Sequence, residues 1–289
     1  MLAVTSHDHD DDTSRPSPLL DRIERYYDAV PRSGARAEDF GPLTLFVREG
    51  QGWPYYARPA LGSTVAPGAD DVYRVRARQR ELGVPESLEW MADTAPGLRA
   101  AAEAAGLVVH EHPLMALTGD IVSAPDPGDA SVRIVGPGDP VLPSALAVPR
   151  LAFAEPGTGI GTAGAEDLAR ATRAVAADGT VEQLTARMHA GLTVVAAAVV
   201  DGEALCAGQH QPVGDAAEIV GVGTLPSARR RGLGVAVTAA LVADARARGA
   251  ATVFLSAADD DVARIYTRAG FRRVATALIA EPPARTARG

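Results

Sequence analysis

Three consecutive arginines and two glycines, at Arg229–Gly234, form the segment best suited to binding a charged ligand. A short apolar run at 219–222 predicts a buried strand before them, and Pro226 ends it because proline lacks an N–H for the ladder. Leu233 and Val237 begin a helical period directly afterwards. A helix N-terminus presents unpaired N–H groups, glycines admit a phosphate closely, and arginines suit phosphate oxygens. The segment therefore predicts binding of a diphosphate-bearing ligand.

The common phosphate-binding loops do not account for this segment. A Walker loop needs a lysine before Ser or Thr, and the sequence contains no lysine. A formal Gly-x-Gly-x-x-Gly does occur at Gly159–Gly164, but a dinucleotide-binding loop must follow a strand directly. Here Glu155 and Pro156 precede it behind a helical pattern, so nucleotide binding there is disfavoured.

Two motifs resemble the signature of the GNAT (Gcn5-related) N-acyltransferases. The Pro-containing turn and Arg229-x-x-Gly232-x-Gly234 resemble the family's motif A, which opens a helix after a strand. Ile265-Tyr266 followed by Gly270-Phe271 is similar to the Leu-Tyr-x-x-x-Gly-Phe on the family's last helix. The match covers about residues 130–285. It implies an α/β (α+β) GNAT fold, a mixed and mostly antiparallel twisted sheet flanked by helices.

The resemblance also implies which residues hold the cofactor. The pantetheine arm of acetyl-CoA, used as a cosubstrate without a metal, would pair with the strand backbone, and the pyrophosphate would lie on the helix amides. The cofactor-binding residues would be Val222, Gly223, Thr224, Arg229, Arg230, Arg231, Gly232, Leu233, Gly234 and Asp259. The loop containing Gly159–Gly164 would be a mobile loop on the acceptor side.

Acyl transfer to an amine needs a base for the ammonium and an acid for the departing thiolate. Tyr266 matches the family tyrosine that protonates the thiolate, although a core tyrosine on an apolar helix face is the alternative. Glu218 lies fourteen residues before Gly232, a spacing similar to that of the general-base glutamate in histone-acetylating members. A solvated edge-strand glutamate is the alternative there. His210 and Glu155 are lesser candidates, each favoured as structural.

One position departs from the family pattern. Where the family often has Asn, this chain has Asp259, followed by Asp260 and Asp261. An ionised Asp only accepts hydrogen bonds, so the carboxylates could weaken cofactor binding or favour a cationic acceptor.

The whole chain, at 289 residues, is long enough for two domains. A net charge of −8 argues against general affinity for nucleic acid or anionic membrane. Cys206 is the only cysteine, which excludes an intramolecular disulfide and suits a reducing compartment. No signal peptide pattern or long apolar run occurs, so we expect a soluble cytoplasmic protein. A homodimer is compatible with the sequence.

The predicted domains are an acidic disordered tail at 1–18, a degenerate GNAT-like domain at 19–125 and a GNAT domain at 126–289. His7–Asp12 belongs to that tail and is favoured as solvated over metal-binding. Residues 88–109 and 253–274 share the order strand, turn, helix, Ala-Gly and strand, which suggests two GNAT-like domains in tandem. Aligning Gly106 with Gly270 puts Ala102 where Tyr266 stands, so the first copy has lost its tyrosine. Because strand–helix–strand units are common, the alternative is that the similarity does not indicate a repeat.

The predicted function is transfer of an acetyl group from acetyl-CoA to a primary amine, by direct attack in a ternary complex. The acceptor is a small-molecule or peptide amine, and a cationic one is weakly favoured by the acidic protein. Two alternatives stay open: a catalytically inactive CoA-binding sensor or scaffold, and a tandem acetyltransferase resembling mycothiol synthase.

Overall fold

The structure, a computed structural model, describes residues 17–50, 54–121 and 126–283. Within these residues all strands join a single sheet, in the order β1-β2-β3-β4-β11-β5-β10-β9-β8-β7-β6. The strands of the first half are β1 (Ala35–Asp39), β2 (Leu43–Arg48), β3 (Ala57–Pro59), β4 (Leu88–Met91) and β5 (Val108–Leu117). Those of the second half are β6 (Ser131–Val135), β7 (Val194–Val200), β8 (Glu203–Val213), β9 (Ala216–Thr224), β10 (Thr252–Ser256) and β11 (Phe271–Glu281).

The helices flank this sheet. They are α1 (Pro18–Arg32), α2 (Ala69–Leu82), α3 (Leu98–Ala104), α4 (Leu142–Ala154), α5 (Ala165–Ala177), α6 (Thr180–His189), α7 (Leu233–Ala247) and α8 (Asp260–Arg268). Most pairs of neighbouring strands are antiparallel, while β3 with β4 and β9 with β10 are parallel. The predicted fold class, a mixed and mostly antiparallel sheet flanked by helices, is therefore confirmed.

The two halves of the chain exchange strands. Strand β5 of the first half lies between β10 and β11, and β11 of the second half lies between β4 and β5. The exchange is extensive, because β11 pairs with β5 from Phe271 opposite Leu117 to Glu281 opposite Val108. Each half thus has an antiparallel meander ending in a parallel pair, and the next strand comes from the other half. One continuous sheet results.

The two segments compared in the predicted repeat have a similar local structure. The units β4–α3–β5 and β10–α8–β11 both end their helix at a glycine with positive φ, 82° at Gly106 and 103° at Gly270. A residue with a side chain is strained in that left-handed region, which glycine adopts readily. Ala102, aligned with Tyr266, is fully buried in the core formed by α2, α3 and the first-half strands.

Each sheet face carries its own helices. Helix α1 packs Ile23, Tyr26 and Tyr27 against Phe254 and Leu114 on one face. Alternate residues of the same strands point to the opposite face, because strand side chains alternate. There Leu255 joins the large core cluster with Val237 of α7 and Ala263 of α8, while Trp90 and Leu98 lie in a separate cluster with α2.

Several sequence-based expectations need correction. The residue pattern at 72–82 predicts an extended segment that becomes helical, but this segment is helical throughout within α2. Residues 212–215, with a proline and a glycine, predict a turn after β8, but the strand extends to Val213 and the turn begins after it. Helix α6 was not predicted, although Val181, Leu184 and Met188 recur at i, i+3 and i+7 and pack against the large core cluster.

The proposed domain limits stay a prediction. Residues 122–125, within the predicted connector, and residues 1–16 of the predicted tail lie outside the described residues, as does the whole of His7–Asp12. Helix α1 begins at Pro18, the last residue assigned to the tail.

Candidate active site

A single cavity of about 1090 Å³ contains most of the predicted site. It is bordered by β9, by the turn and first residues of α7, by α8 and by the end of α4 with its following loop. Tyr266, Glu218 and Asp259 line it, as does every predicted cofactor residue except Arg231. The lining cofactor residues are Val222, Gly223, Thr224, Arg229, Arg230, Gly232, Leu233 and Gly234.

The cavity exists because β9 and β10 pair only at their beginnings. Their parallel register ends with Glu218 opposite Phe254, yet β9 continues to Thr224. A bulge at Gly221 and Val222, which lie opposite Gly208, bends β9 further. Beyond Glu218, one edge of β9 is therefore unpaired with β10 and faces the cavity, where an extended ligand could add hydrogen bonds.

A close helix approach explains a glycine on β9. A Cβ at Gly223 would lie 2.8 Å from Pro149 Cα and 2.9 Å from Ala152 Cβ, both on α4. These distances are shorter than a normal carbon–carbon contact. Gly223 therefore lets α4 lie directly on the strand, which fixes one cavity wall.

The first turn of α7 presents its backbone to the cavity. Gly232 precedes the helix with φ of 76°, a left-handed conformation suited to glycine, and its carbonyl accepts from Ala236 at 3.1 Å. The next residues, Leu233 and Gly234, lie in the turn whose N–H groups have no intrahelical partner. A Cβ at Gly234 would meet only Thr224 Oγ1, at 3.7 Å. The geometry is that of an anion-binding helix N-terminus.

The three arginines before this helix have different environments. Arg229 donates to the carbonyls of Ala152 (3.0 Å), Glu155 and Gly159 (3.2 Å), so its guanidinium is engaged with the end of α4 and the following loop. Arg231 pairs with Asp129 and does not line the cavity. These two guanidiniums therefore hold protein groups in this structure.

Two other arginines line the cavity with unengaged guanidiniums. Arg230, at φ of 70°, and Arg268 of α8 have no ion-pair partner among the residues that the structure describes. They are the lining cations best placed to face a phosphate-bearing ligand, and sequence reasoning did not single out Arg268. It is the last residue of α8, two residues after Tyr266.

The glycine-rich loop before α5 is tied to the turn before α7. Glu155 accepts from the N–H groups of Thr162 (2.8 Å) and Ala163 (3.2 Å), and these hydrogen bonds lower its pKa. Gly161 N–H donates to the Pro226 carbonyl at 3.0 Å, and Ser227 N–H donates to the Ala163 carbonyl at 3.1 Å. Glu155 thus organises the loop instead of facing a substrate, and no strand precedes the Gly-x-Gly-x-x-Gly.

Tyr266 lies on α8, partly buried, with its ring edge-on to Phe271 at 5.9 Å between centroids. Burial raises the pKa of its hydroxyl well above the usual value, and the nearby Cys206 adds to the effect. Cys206 is fully buried, accepts from the Thr224 hydroxyl at 3.2 Å, and has a pKa raised by burial to about 12. A protonated tyrosine facing the cavity can donate a proton; the buried neutral thiol is a poor nucleophile.

Glu218 lies where β9 and β10 diverge. Burial, followed by the charge of Glu89, raises the pKa of its carboxyl to about 8, while Arg58 and the hydroxyl of Tyr27 oppose this. The Tyr27 hydroxyl donates to Glu218 Oε1 at 3.3 Å. A carboxylate with a pKa near neutrality is suited to accept a proton.

Residues of the first half complete this end of the cavity. Glu89 of β4 and His112 of β5 line it, and Glu89 forms an ion pair with Arg58 of β3. The Arg58 guanidinium also lies over the ring of Tyr27, 4.2 Å from the centroid. Sequence reasoning missed all four, because only the strand exchange brings the first half of the chain to this cavity.

The three consecutive aspartates at the start of α8 interact with neighbouring protein groups. Asp259 caps the helix, with Oδ1 accepting from Val262 N–H at 2.8 Å. Asp261 pairs with Arg264, and Asp260 lies 3.5 Å from Arg273. The carboxylates therefore have local partners, and the contact of Asp259 with a cofactor stays a prediction.

His210 has a structural environment. It is fully buried on β8, and its Nε2 lies 2.9 Å from Asp244 Oδ1 of α7. Burial lowers its pKa, although Asp244 opposes this. Its ring links the sheet to α7 and does not line the cavity.

Two further features of the described residues bear on ligands. No group of three or more His, Cys, Asp or Glu residues in that part of the chain could hold a metal ion. None of the helices within it is both long and apolar enough to cross a membrane.

Comparison with known proteins identifies the class of fold. Residues 198–279 match the family model described as FR47-like protein. A GCN5-related N-acetyltransferase from Kribbella flavida superimposes with a TM-score of 0.66 at 22% identity, covering 92% of this chain and 96% of the other. A GCN5-related N-acetyltransferase from Sphaerobacter thermophilus gives 0.54 at 17% identity, covering 90% and 84%.

A tandem GNAT protein from the clavulanic acid biosynthesis pathway gives a TM-score of 0.50 at 15% identity, covering 82% of this chain and 78% of the other. No curated protein sequence matches the chain. The fold implied by the resemblance is thus confirmed: the chain has the GNAT fold.

Proposed function

We propose that this protein is an N-acetyltransferase that uses acetyl-CoA as cosubstrate and a primary amine as acceptor. The observation that carries the proposal is that Tyr266, Glu218, the unpaired edge of β9 and the start of α7 line one continuous cavity. The acyl donor and the acceptor would meet where β9 and β10 diverge.

The cofactor would be held mainly by backbone groups. Its pantetheine arm would extend along Val222–Thr224, where β9 has no pairing with β10. Its pyrophosphate would lie on the first turn of α7, where Gly232 and Gly234 allow close approach and the helix N-terminus favours an anion. Arg230 would add charge there.

The chemical step needs no covalent enzyme intermediate. Glu218 takes a proton from the ammonium, and the amine nitrogen then attacks the thioester carbonyl carbon to form a tetrahedral intermediate. A backbone N–H of β9 would stabilise its oxyanion. The C–S bond then breaks, the nitrogen releases its second proton, and Tyr266 donates its hydroxyl proton to the departing thiolate. The products are an amide, free thiol and one net proton.

An acetyl-transfer assay with a panel of amines tests the proposal through release of the free thiol. Tyr266→Phe should lower kcat by about a hundredfold or more, the lower end of what a positioned acid contributes. Tyr73→Phe is the matched control, because Tyr73 is exposed on α2 and does not line the cavity. An unchanged rate in Tyr266→Phe would remove that residue from the mechanism. Absence of thiol release with every amine would contradict the enzyme proposal.

A further inference from the structure

The sheet register places residues of both halves on one cavity wall. Glu89 lies opposite Ile279, and Ile279 lies opposite His110, so the side chains of all three are on one face of the sheet. Side chains two residues apart on a strand point to the same face, so His112 is on that face too. Glu218 lies opposite Phe254, whose ring packs with α1 on that same face. Glu89, His112 and Glu218 therefore project from one side of the sheet into one cavity.

The polar groups of this wall are mainly hydrogen-bond acceptors. His112 Nδ1 lies 3.0 Å from the carbonyl oxygen of Ala258, and because a carbonyl only accepts, Nδ1 carries the proton. In the neutral ring, Nε2 then has a free lone pair. The carboxylates of Glu89 and Glu218 add further acceptor oxygens, of which Arg58 and Tyr27 each occupy one.

The charges around Glu218 give the wall a negative balance. From the first half, α1 contributes the neutral Tyr26 and Tyr27, β3 contributes Arg58, and β4 contributes Glu89. Because Arg58 is paired with Glu89, an ionised Glu218 leaves about one negative charge uncompensated. Arg230 and Arg268, the lining cations without an ion-pair partner in the described part of the chain, lie on the α7 turn and on α8 instead.

We infer that the wall containing Glu89, His112 and Glu218 binds a cationic acceptor, and that the acceptor carries no carboxylate beside the reacting nitrogen. An ammonium has three N–H donors, and the side chains of the wall offer acceptor atoms for them. An α-amino acid would also bring its own carboxylate to this wall, where the uncompensated negative charge would repel it. The preferred class is a cationic alkylamine. This inference rests on the proposed function for the identity of the site.

Matched amines test this acceptor class by calorimetric titration in the presence of CoA. The probes are cadaverine with lysine, histamine with histidine, and tyramine with tyrosine, each amino acid accompanied by its carboxamide. In at least one set the amine and the carboxamide should bind about tenfold or more tightly than the amino acid. The carboxamide keeps the bulk of the carboxylate without its charge, so it separates repulsion from steric exclusion. Equal or tighter binding of the amino acid in every set, or no binding of any probe, would overturn the inference.

Variants test which residues of the wall produce the preference for the amine over the amino acid. Glu89→Gln should reduce the preference for the amine severalfold while leaving acetyl-CoA affinity unchanged. Since this change leaves the buried Arg58 without its ion pair, His112→Gln serves as a second variant and should weaken binding of the preferred amine. His110→Gln is the matched control, because His110 lies on the same strand and face but does not line the cavity. Equal effects of His112→Gln and His110→Gln would overturn the assignment of His112.

The same titrations separate this inference from the proposed function. Binding of acetyl-CoA without the expected amine preference would contradict the acceptor site alone. The expected preference without acetyl-CoA binding would support the amine site and contradict the acetyltransferase proposal.

Discussion

Substituting Gly223 by alanine tests how the cavity wall is built. The added Cβ would lie 2.8 Å from Pro149 Cα and 2.9 Å from Ala152 Cβ, whereas carbon atoms prefer about 3.5–4.0 Å. Pro149 Cα is a backbone atom of α4 and cannot rotate away, so the helix must shift from β9. Overpacking of this kind costs about 1–3 kcal/mol. At roughly 2–4 °C per kcal/mol for a chain of this size, Tm should fall by about 2–12 °C.

Gly136→Ala provides the control for this prediction. A Cβ there would meet no atom within 4 Å among the described residues, and its φ lies outside the left-handed region. Its stability should stay within about 0.5 kcal/mol of the wild type, or rise slightly because alanine restricts the unfolded chain. Thermal unfolding of both variants at one pH gives the comparison. Equal stability of Gly223→Ala and Gly136→Ala would refute the packing argument.

Four further predictions concern charged or titratable residues. In wild type, kcat/KM should rise with pH until about 8 as Glu218 ionises. Glu218→Gln should abolish that rise and lower the rate by at least about tenfold. Because the folded pKa of Glu218 is raised, its stabilising contribution is lost as pH rises through about 8; Glu218→Gln should therefore gain most in unfolding free energy, relative to wild type, above that pH. His210 has a lowered pKa, so wild type should lose stability as pH falls below 6.5, and His210→Gln should show a smaller loss in acid unfolding measurements. Arg229→Lys replaces a fork of donors by one ammonium, so amide hydrogen exchange over 155–164 should accelerate; unchanged protection would contradict the assigned role of Arg229.

Local sequence pattern was sufficient for the end of the cavity formed by β9 and the start of α7. The β9 strand, the turn at Pro226 and the helix after Gly232 depend on residues within about 30 positions of one another, so their order predicts their geometry. The structure brings Tyr266 to the same cavity because α8 follows β10 directly in the chain. These elements needed no long-range information.

The end of the cavity near Glu218 depended on contacts that sequence pattern does not encode. Tyr27 and Glu218 are 191 residues apart, and the contact arises from α1 packing across the exchanged strands. Arg229 illustrates another difficulty: an arginine before a phosphate-binding turn resembles a ligand contact, but here it satisfies backbone carbonyls at the end of α4. Only the packed structure distinguishes these roles.

The measurement that tests the central claim most directly is calorimetric titration of acetyl-CoA with wild type and Gly234→Asp. An Asp in the first turn of α7 suits the helix dipole, and a Cβ there has only an ordinary contact with Thr224, so the variant should fold. Its carboxylate would repel the pyrophosphate, whereas Gly234→Ala adds the Cβ without the charge and serves as the control. We predict micromolar binding by wild type, retained in Gly234→Ala and lost in Gly234→Asp. Binding by Gly234→Asp as tight as by wild type would contradict the assigned cofactor site, and no binding by wild type would contradict the acetyltransferase account itself.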